Sequence, residues 1–220
     1  MIYLIDRYFL KKPWLRRFVT RLLEGDHDCQ VNLFGASMIV HSVKEHGYLR
    51  SSRIANRSAL LRDELPVMLN LAALIAAGDT FLDIGANVGV FTNTFSRFTS
   101  LLSGFRIYAF EANPDTFRRL RQNVENQAVY CAYAALSDHS GFLDFVPGAV
   151  SHVFTTLDNA SVYSLSTQAV SVPCCRMDSL DLIGDSLILK IDVEGQELNV
   201  LNGATGLFAA GRVKAVFVDG

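Results

Sequence analysis

The stretch Thr80-Phe81-Leu82-Asp83-Ile84-Gly85-Ala86-Asn87-Val88-Gly89 constrains the fold of this chain more than any other. An apolar, β-prone run passes without interruption into a glycine-bounded turn, and helix-forming sequence follows at once. Glycines at such a turn let the backbone bend tightly and come close to a ligand, while the new helix points unpaired N–H groups at it. From residue 80 onward strand and helix signals alternate, the mark of a parallel sheet covered by helices. The pattern predicts strands over 80–84, 106–110, 128–135, 186–192 and 213–218, with helices over 87–102, 114–126 and 194–202. The expected fold is α/β with five core parallel strands.

The turn differs from a dinucleotide-binding fingerprint in two ways. Asn87 stands where the second glycine would be, and Asp83 sits two residues ahead of Gly85. A carboxylate there is poor company for a pyrophosphate but suits a cationic sulfonium and ammonium, as in S-adenosylmethionine. The second strand ends in Glu111, 22 residues past Gly89, close to the distance at which a βαβ unit sets an acid against ribose hydroxyls. Its two oxygens can each accept one vicinal hydroxyl. Asn113-Pro114-Asp115 then supplies an N-cap, a first helical residue and a first-turn acid. Arg118, Arg119 and Arg121 on that helix read as a solvated basic face.

Three blocks together resemble the FkbM-type methyltransferase family: residues 81–89, residues 108–114 (Tyr-Ala-Phe-Glu-Ala-Asn-Pro) and residues 189–198 (Leu-Lys-Ile-Asp-Val-Glu-Gly-Gln-Glu-Leu). The likeness runs loosely from about residue 31 to the end. It implies a Rossmann-like class I methyltransferase sheet, S-adenosyl-L-methionine as cofactor, and a hydroxyl acceptor on a sugar, glycan or polyketide-like natural product. Carried over by position, Asp83, Gly85, Asn87 and Gly89 would line the methionine and ribose part of the cofactor, and Glu111 would hold the ribose. Ser137 or Asp138 would sit near the adenine. Ala112 departs from the family, which often has proline there.

The fourth strand holds the remaining chemistry. Lys190 lies inside a strand expected to be buried on both faces, so it needs a partner. In the usual strand order that partner is Asp83. Asp192 and Glu194 stand at the carboxyl end of the strand, where open α/β sheets place their ligands. Methyl transfer to a hydroxyl needs alignment and removal of a proton. Asp192 or Glu194 could be that base or could bind a divalent ion that acidifies the hydroxyl. The alternative is that Asp192 contacts only the cofactor's ammonium and Glu194 caps its helix. His41, His46, His139 and His152 are rival bases, each by itself an ordinary surface histidine. No dedicated metal-ligand spacing is present. Residues 139–186 are too long for a plain connection, and their β-like runs over 141–146 and 169–176 predict a hairpin or flap on one rim of the sheet.

Residues 1–59 read as a helical and β-hairpin extension, and residues 60–220 as the cofactor-binding core. Pro13 divides the first 24 residues into two short helices. In the second, Leu15, Phe18, Val19 and Leu22 share a face opposite the arginines. Such a helix either lies on an anionic membrane surface or packs on the domain with its basic face solvated. Residues 31–41 predict a hairpin around Gly35. A net charge of −2 gives no basic field for nucleic acid. Four scattered cysteines suit a reducing cytoplasm. No apolar run reaches bilayer-spanning length, and residues 65–77 read as a buried helix closed by Gly78. Class I methyltransferases usually continue past a fifth strand, so the sequence is expected to lack its C-terminal strands. Two other function classes fit less of this pattern: a non-catalytic nucleoside- or partner-binding module, and a nicotinamide-dependent oxidoreductase.

Overall fold

The computed structural model describes residues 12–53, 59–147, 154–156 and 169–219. Helix α1 (Pro13–Glu24) leads into an antiparallel hairpin, β1 (Asp28–Leu33) and β2 (Ala36–His41). Phe34 and Gly35, both with positive φ, form its two-residue turn, the conformation that matches the natural twist of paired strands. Helices α2 (His46–Arg53) and α3 (Ala59–Leu74) follow, the second opening the segment read as the core. The first of the two helices expected before Pro13 lies outside the described residues.

The core strands are β3 (Thr80–Ile84), β4 (Arg106–Glu111), β5 (Tyr130–Tyr133), β10 (Leu187–Ile191) and β11 (Val213–Val218). They form one parallel sheet in the order β11-β10-β3-β4-β5. Every residue of β3 and β10 is buried, as expected for central strands covered on both faces. The crossovers include α4 (Val90–Phe95), α5 (Pro114–Asn123), α6 (Glu197–Asn202) and α7 (Thr205–Ala209). The predicted insertion is a second sheet of order β6-β9-β7-β8, built from β6 (Ala135–Leu136), β7 (Gly141–Pro147), β8 (Phe154–Thr156) and β9 (Val170–Cys175).

Several boundaries differ from expectation for identifiable reasons. The helix expected over 87–102 is short and gives way to a 3-10 turn, Ser96–Ser100. There Ser96, Thr99 and Ser100 hydroxyls donate back to carbonyls three residues earlier, an alternative to the helical ladder. The strand expected over 128–135 breaks after Tyr133, and its last residues cross to the second sheet to pair with β9. Gly203 ends α6 with right-handed backbone (φ −73). Its lack of a side chain serves a different purpose: a Cβ would lie 2.0 Å from the Ser137 carbonyl oxygen.

Arg119 corrects the reading of α5 as carrying a purely solvated basic face. It is 1% exposed, with Nε and Nη2 donating to Glu45 Oε1 at 3.0 and 2.5 Å. Glu45 Oε2 in turn accepts the His41 backbone N–H at 2.6 Å. Asn123 adds a second tie, exchanging hydrogen bonds with the Ile39 backbone and donating to the Val88 carbonyl. Val31, Leu33, Met38, Val40 and Leu49 share one core cluster with Phe81, Ile107 and Ile188, so the extension packs into the core. Arg119→Met is expected to destabilise by about 3–5 kcal/mol, because it strands the buried Glu45 carboxylate. Adding Glu45→Gln should recover part of that loss in chemical denaturation. An unchanged midpoint for the single variant would refute the pairing argument.

Candidate active site

A cleft opens at the carboxyl ends of β3, β4 and β10. Ile84, Gly85, Asn87, Phe110, Glu111, Asp192 and Glu194 form one side, and Leu143 and Phe145 of β7 close over Ala112 and residues 134–136 on the other. The second sheet therefore supplies the apolar end of the cleft, and the glycine turn supplies its polar floor.

Close backbone approach builds that floor. Gly85 has φ +75, and a Cβ there would lie 1.9 Å from the Asp192 carbonyl oxygen. Asn87 also has positive φ (53), which asparagine tolerates better than most residues. Its backbone N–H donates to Glu111 Oε2 at 2.8 Å, while Asn113 N–H donates to Oε1 at 2.8 Å. Burial pushes the Glu111 carboxyl up to about 7, against the pull of those two N–H groups. Each carboxylate oxygen retains a further lone pair toward the cleft-lining side of the strand end. The Asn87 side chain donates from Nδ2 to Tyr48 Oη at 3.3 Å, and its Oδ1 is buried without a hydrogen-bond partner.

Asp83 and Gly89 do not line the cleft; they shape it from behind. Asp83 Oδ2 accepts from the Thr92 backbone N–H at 3.1 Å and its hydroxyl at 2.6 Å, which pins the first turn of α4. Gly89 caps the same helix with φ +86, and a Cβ there would lie 2.5 Å from Leu120 Cδ1. Ser137 and Asp138 stand just past the lining residue Leu136. Ser137 is buried with its N–H donating to Cys175 O, while exposed Asp138 pairs with His139 at 2.8 Å.

The expected Lys190–Asp83 contact is present. Lys190 Nζ lies 3.3 Å from Asp83 Oδ1, 3.1 Å from Asp192 Oδ2 and 3.4 Å from the Gly85 carbonyl oxygen. Burial works against the ammonium, but Asp83 first, then Asp192 and Glu64, outweigh it and hold the lysine above its ordinary pKa. Lys190 thus stays charged and aims Asp192, which is 40% exposed at its side chain, at the cleft. Glu194 is exposed at the rim.

Two residues behind the cleft lining were not singled out from the sequence. Glu64 on α3 lies within electrostatic reach of Lys190, Asp192, Asp219 and Asp83, and burial pushes its carboxyl up to about 7. Tyr48 on α2 joins the same group, its hydroxyl pKa pushed up by burial and by the charges of Glu64 and Asp192. An acid immediately preceding an apolar run was the available signal for Glu64. Of the histidines, His41 Nδ1 faces the Val43 and Lys44 N–H groups, and His46 pairs with the Val43 carbonyl. His152 lies outside the described residues. Among the described residues no three His, Cys, Asp or Glu side chains converge as metal ligands.

The family profile for the methyltransferase FkbM domain matches residues 83–219, which begin at Asp83 and include Glu111, Lys190, Asp192 and Glu194. The chain belongs to that family. It is also 29% identical over 182 residues to the hexuronic acid methyltransferase AglP of Haloferax volcanii, a match covering 80% of this chain and 67% of AglP. Among solved structures, the precorrin-6y C5,15-methyltransferase of Geobacter metallireducens aligns with a TM-score of 0.36 at 15% identity. That alignment covers 70% of this chain and 60% of the other.

Proposed function

We propose that this FkbM-family chain is an S-adenosylmethionine-dependent O-methyltransferase acting on a hydroxyl of a sugar or glycan. The observation that carries the reading is the polarity of the cleft. One end is an apolar slot beside the buried Glu111 carboxylate, and the other is a group of acids around Lys190. The residues fit S-adenosylmethionine. Glu111 suits the ribose hydroxyls, the slot under Phe145 and Leu143 suits a flat base, and the unpartnered Asn87 Oδ1 suits an ammonium. The cofactor would supply an electrophilic methyl group. Similarity to a hexuronic acid methyltransferase supports a sugar as acceptor.

The chain's own task is to position the hydroxyl and take its proton. Asp192, fixed by Lys190, and Glu194 on the rim are the two cleft-lining carboxylates that orient the acceptor and take its proton. Glu194, exposed on the rim, is the second candidate for contact with the acceptor.

The test is methyl transfer from S-adenosylmethionine to hexuronic acid glycosides and neutral hexose glycosides, with NAD binding as a control. Turnover on a glycoside is expected, with kcat/KM rising as pH passes through about 7. Asp192→Asn should lower kcat by about 100-fold or more and raise KM for the acceptor. Saturable binding of S-adenosylhomocysteine without turnover on any hydroxyl acceptor would replace this reading with a non-catalytic one.

A further inference from the structure

Helix α1 is amphipathic, yet it presents much of its apolar side to solvent. Trp14, Phe18 and Leu22, spaced four residues apart and therefore on one face, are 58%, 61% and 74% exposed, and Leu23 beside them is 75% exposed. The helix rests on the body through a different face, where Thr20 is its buried side chain at 8%. This reverses the arrangement expected of a surface helix, whose apolar stripe normally faces the core. Arg21 flanks the exposed stripe with its side chain 62% exposed, bridged to Asp26 at 2.6 Å, whereas Arg17 is half-buried.

Charge is divided along the chain in the same sense. Six of its 20 basic residues but only two of its 22 acidic ones fall in residues 1–24, giving that segment +4 and leaving the remainder at −6. Among the described residues no helix is long and apolar enough to cross a membrane. We propose that α1 is a membrane-surface anchor, which lays Trp14, Phe18 and Leu22 into the headgroup boundary of an anionic lipid bilayer. Tryptophan and phenylalanine on one face with an exposed arginine at its border is the composition that such a boundary favours. A second copy of the chain covering the same stripe would set two net-positive helices against each other, each with Arg16, Arg17 and Arg21 against Glu24. An anionic lipid surface instead attracts the segment and holds the −6 body away.

The full chain is to be sedimented with vesicles of phosphatidylcholine alone and of phosphatidylcholine mixed equally with phosphatidylglycerol. Binding to the mixed vesicles alone is expected. It should weaken by about tenfold or more in high salt, which screens headgroup attraction. The triple variant W14S/F18S/L22S, altered only at exposed positions, should lose the binding while keeping its thermal midpoint and its affinity for S-adenosylhomocysteine. No binding to mixed vesicles, or equal binding by the triple variant, would overturn the proposal. So would a dimer in analytical ultracentrifugation that the triple variant abolishes, because a second copy would then be the occupant of the stripe.

Discussion

Glu111→Gln is expected to weaken S-adenosylhomocysteine binding by about 100-fold or more, the loss of two hydrogen bonds to a charged acceptor at roughly 1.5–3 kcal/mol each. Glutamine retains one oxygen for the backbone N–H groups of Asn87 or Asn113, so the turn is disturbed less than by alanine. The wild-type affinity should also depend on pH in a definite direction. Unliganded, the buried carboxyl has a pKa of about 7. Hydroxyl donors favour its ionised form and lower that value, so binding releases a proton near neutrality and affinity rises as pH passes upward through about 7. Calorimetry in buffers of different ionisation enthalpy reads that proton directly. The same group acts on stability in the opposite sense. Between its ordinary 4.5 and about 7 the folded form holds more protons than the unfolded form, so this contribution falls as pH rises across that window. Binding enthalpy independent of buffer, together with unaltered affinity in the variant, would remove Glu111 from the site.

Gly85→Ala should be the most damaging single methyl in the core. The new Cβ would meet the Asp192 carbonyl oxygen at 1.9 Å, and the backbone at φ +75 is strained for any L side chain. The obstacle is backbone one residue past the end of the neighbouring central strand β10, so that segment and the turn must separate. Destabilisation above about 3 kcal/mol is expected, a fall in Tm of about 10 °C for a chain of this size. Gly47→Ala is the matched control: Gly47 lies in α2 with open space around its Cβ position, and alanine there should raise helix stability by up to about 1 kcal/mol. Equal effects of the two substitutions would refute the close-approach account.

The architecture was legible in the sequence where local chemistry decides it. The hairpin turn at Gly35, the N-cap at Asn113 and the alternation of strand and helix depend on neighbouring residues, and each is found. The Lys190–Asp83 contact was legible too, because a lysine inside a doubly covered strand has few other ways to be satisfied. What the sequence hid depends on distant packing. Arg119 looks like its neighbours Arg118 and Arg121 until β2 brings Glu45 against it. Glu64 joins the acids around Lys190 only because the fold brings it within electrostatic reach of Lys190, Asp192 and Asp219, all far along the chain. Ser137 and Asp138 follow the third strand as expected, but the chain leaves for the second sheet before reaching them, so Leu136 is the last of that run to line the cleft. Helix α1 shows the same limit from the other side: its periodicity identifies an amphipathic helix without saying which face touches the body.

The central position of β3 has a consequence for the order in which this chain acquires structure. One neighbour, β4, follows it closely, but the other is β10, and the paired residues Phe81 and Ile188 are 107 positions apart. During synthesis β3 is made with one side unpaired and stays so until the entire second sheet has been added. Non-local parallel pairing of this kind slows folding and lengthens the life of aggregation-prone intermediates. Asp83 waits equally long for Lys190, so a negative charge sits in the nascent core throughout that interval and disfavours premature burial of the strand.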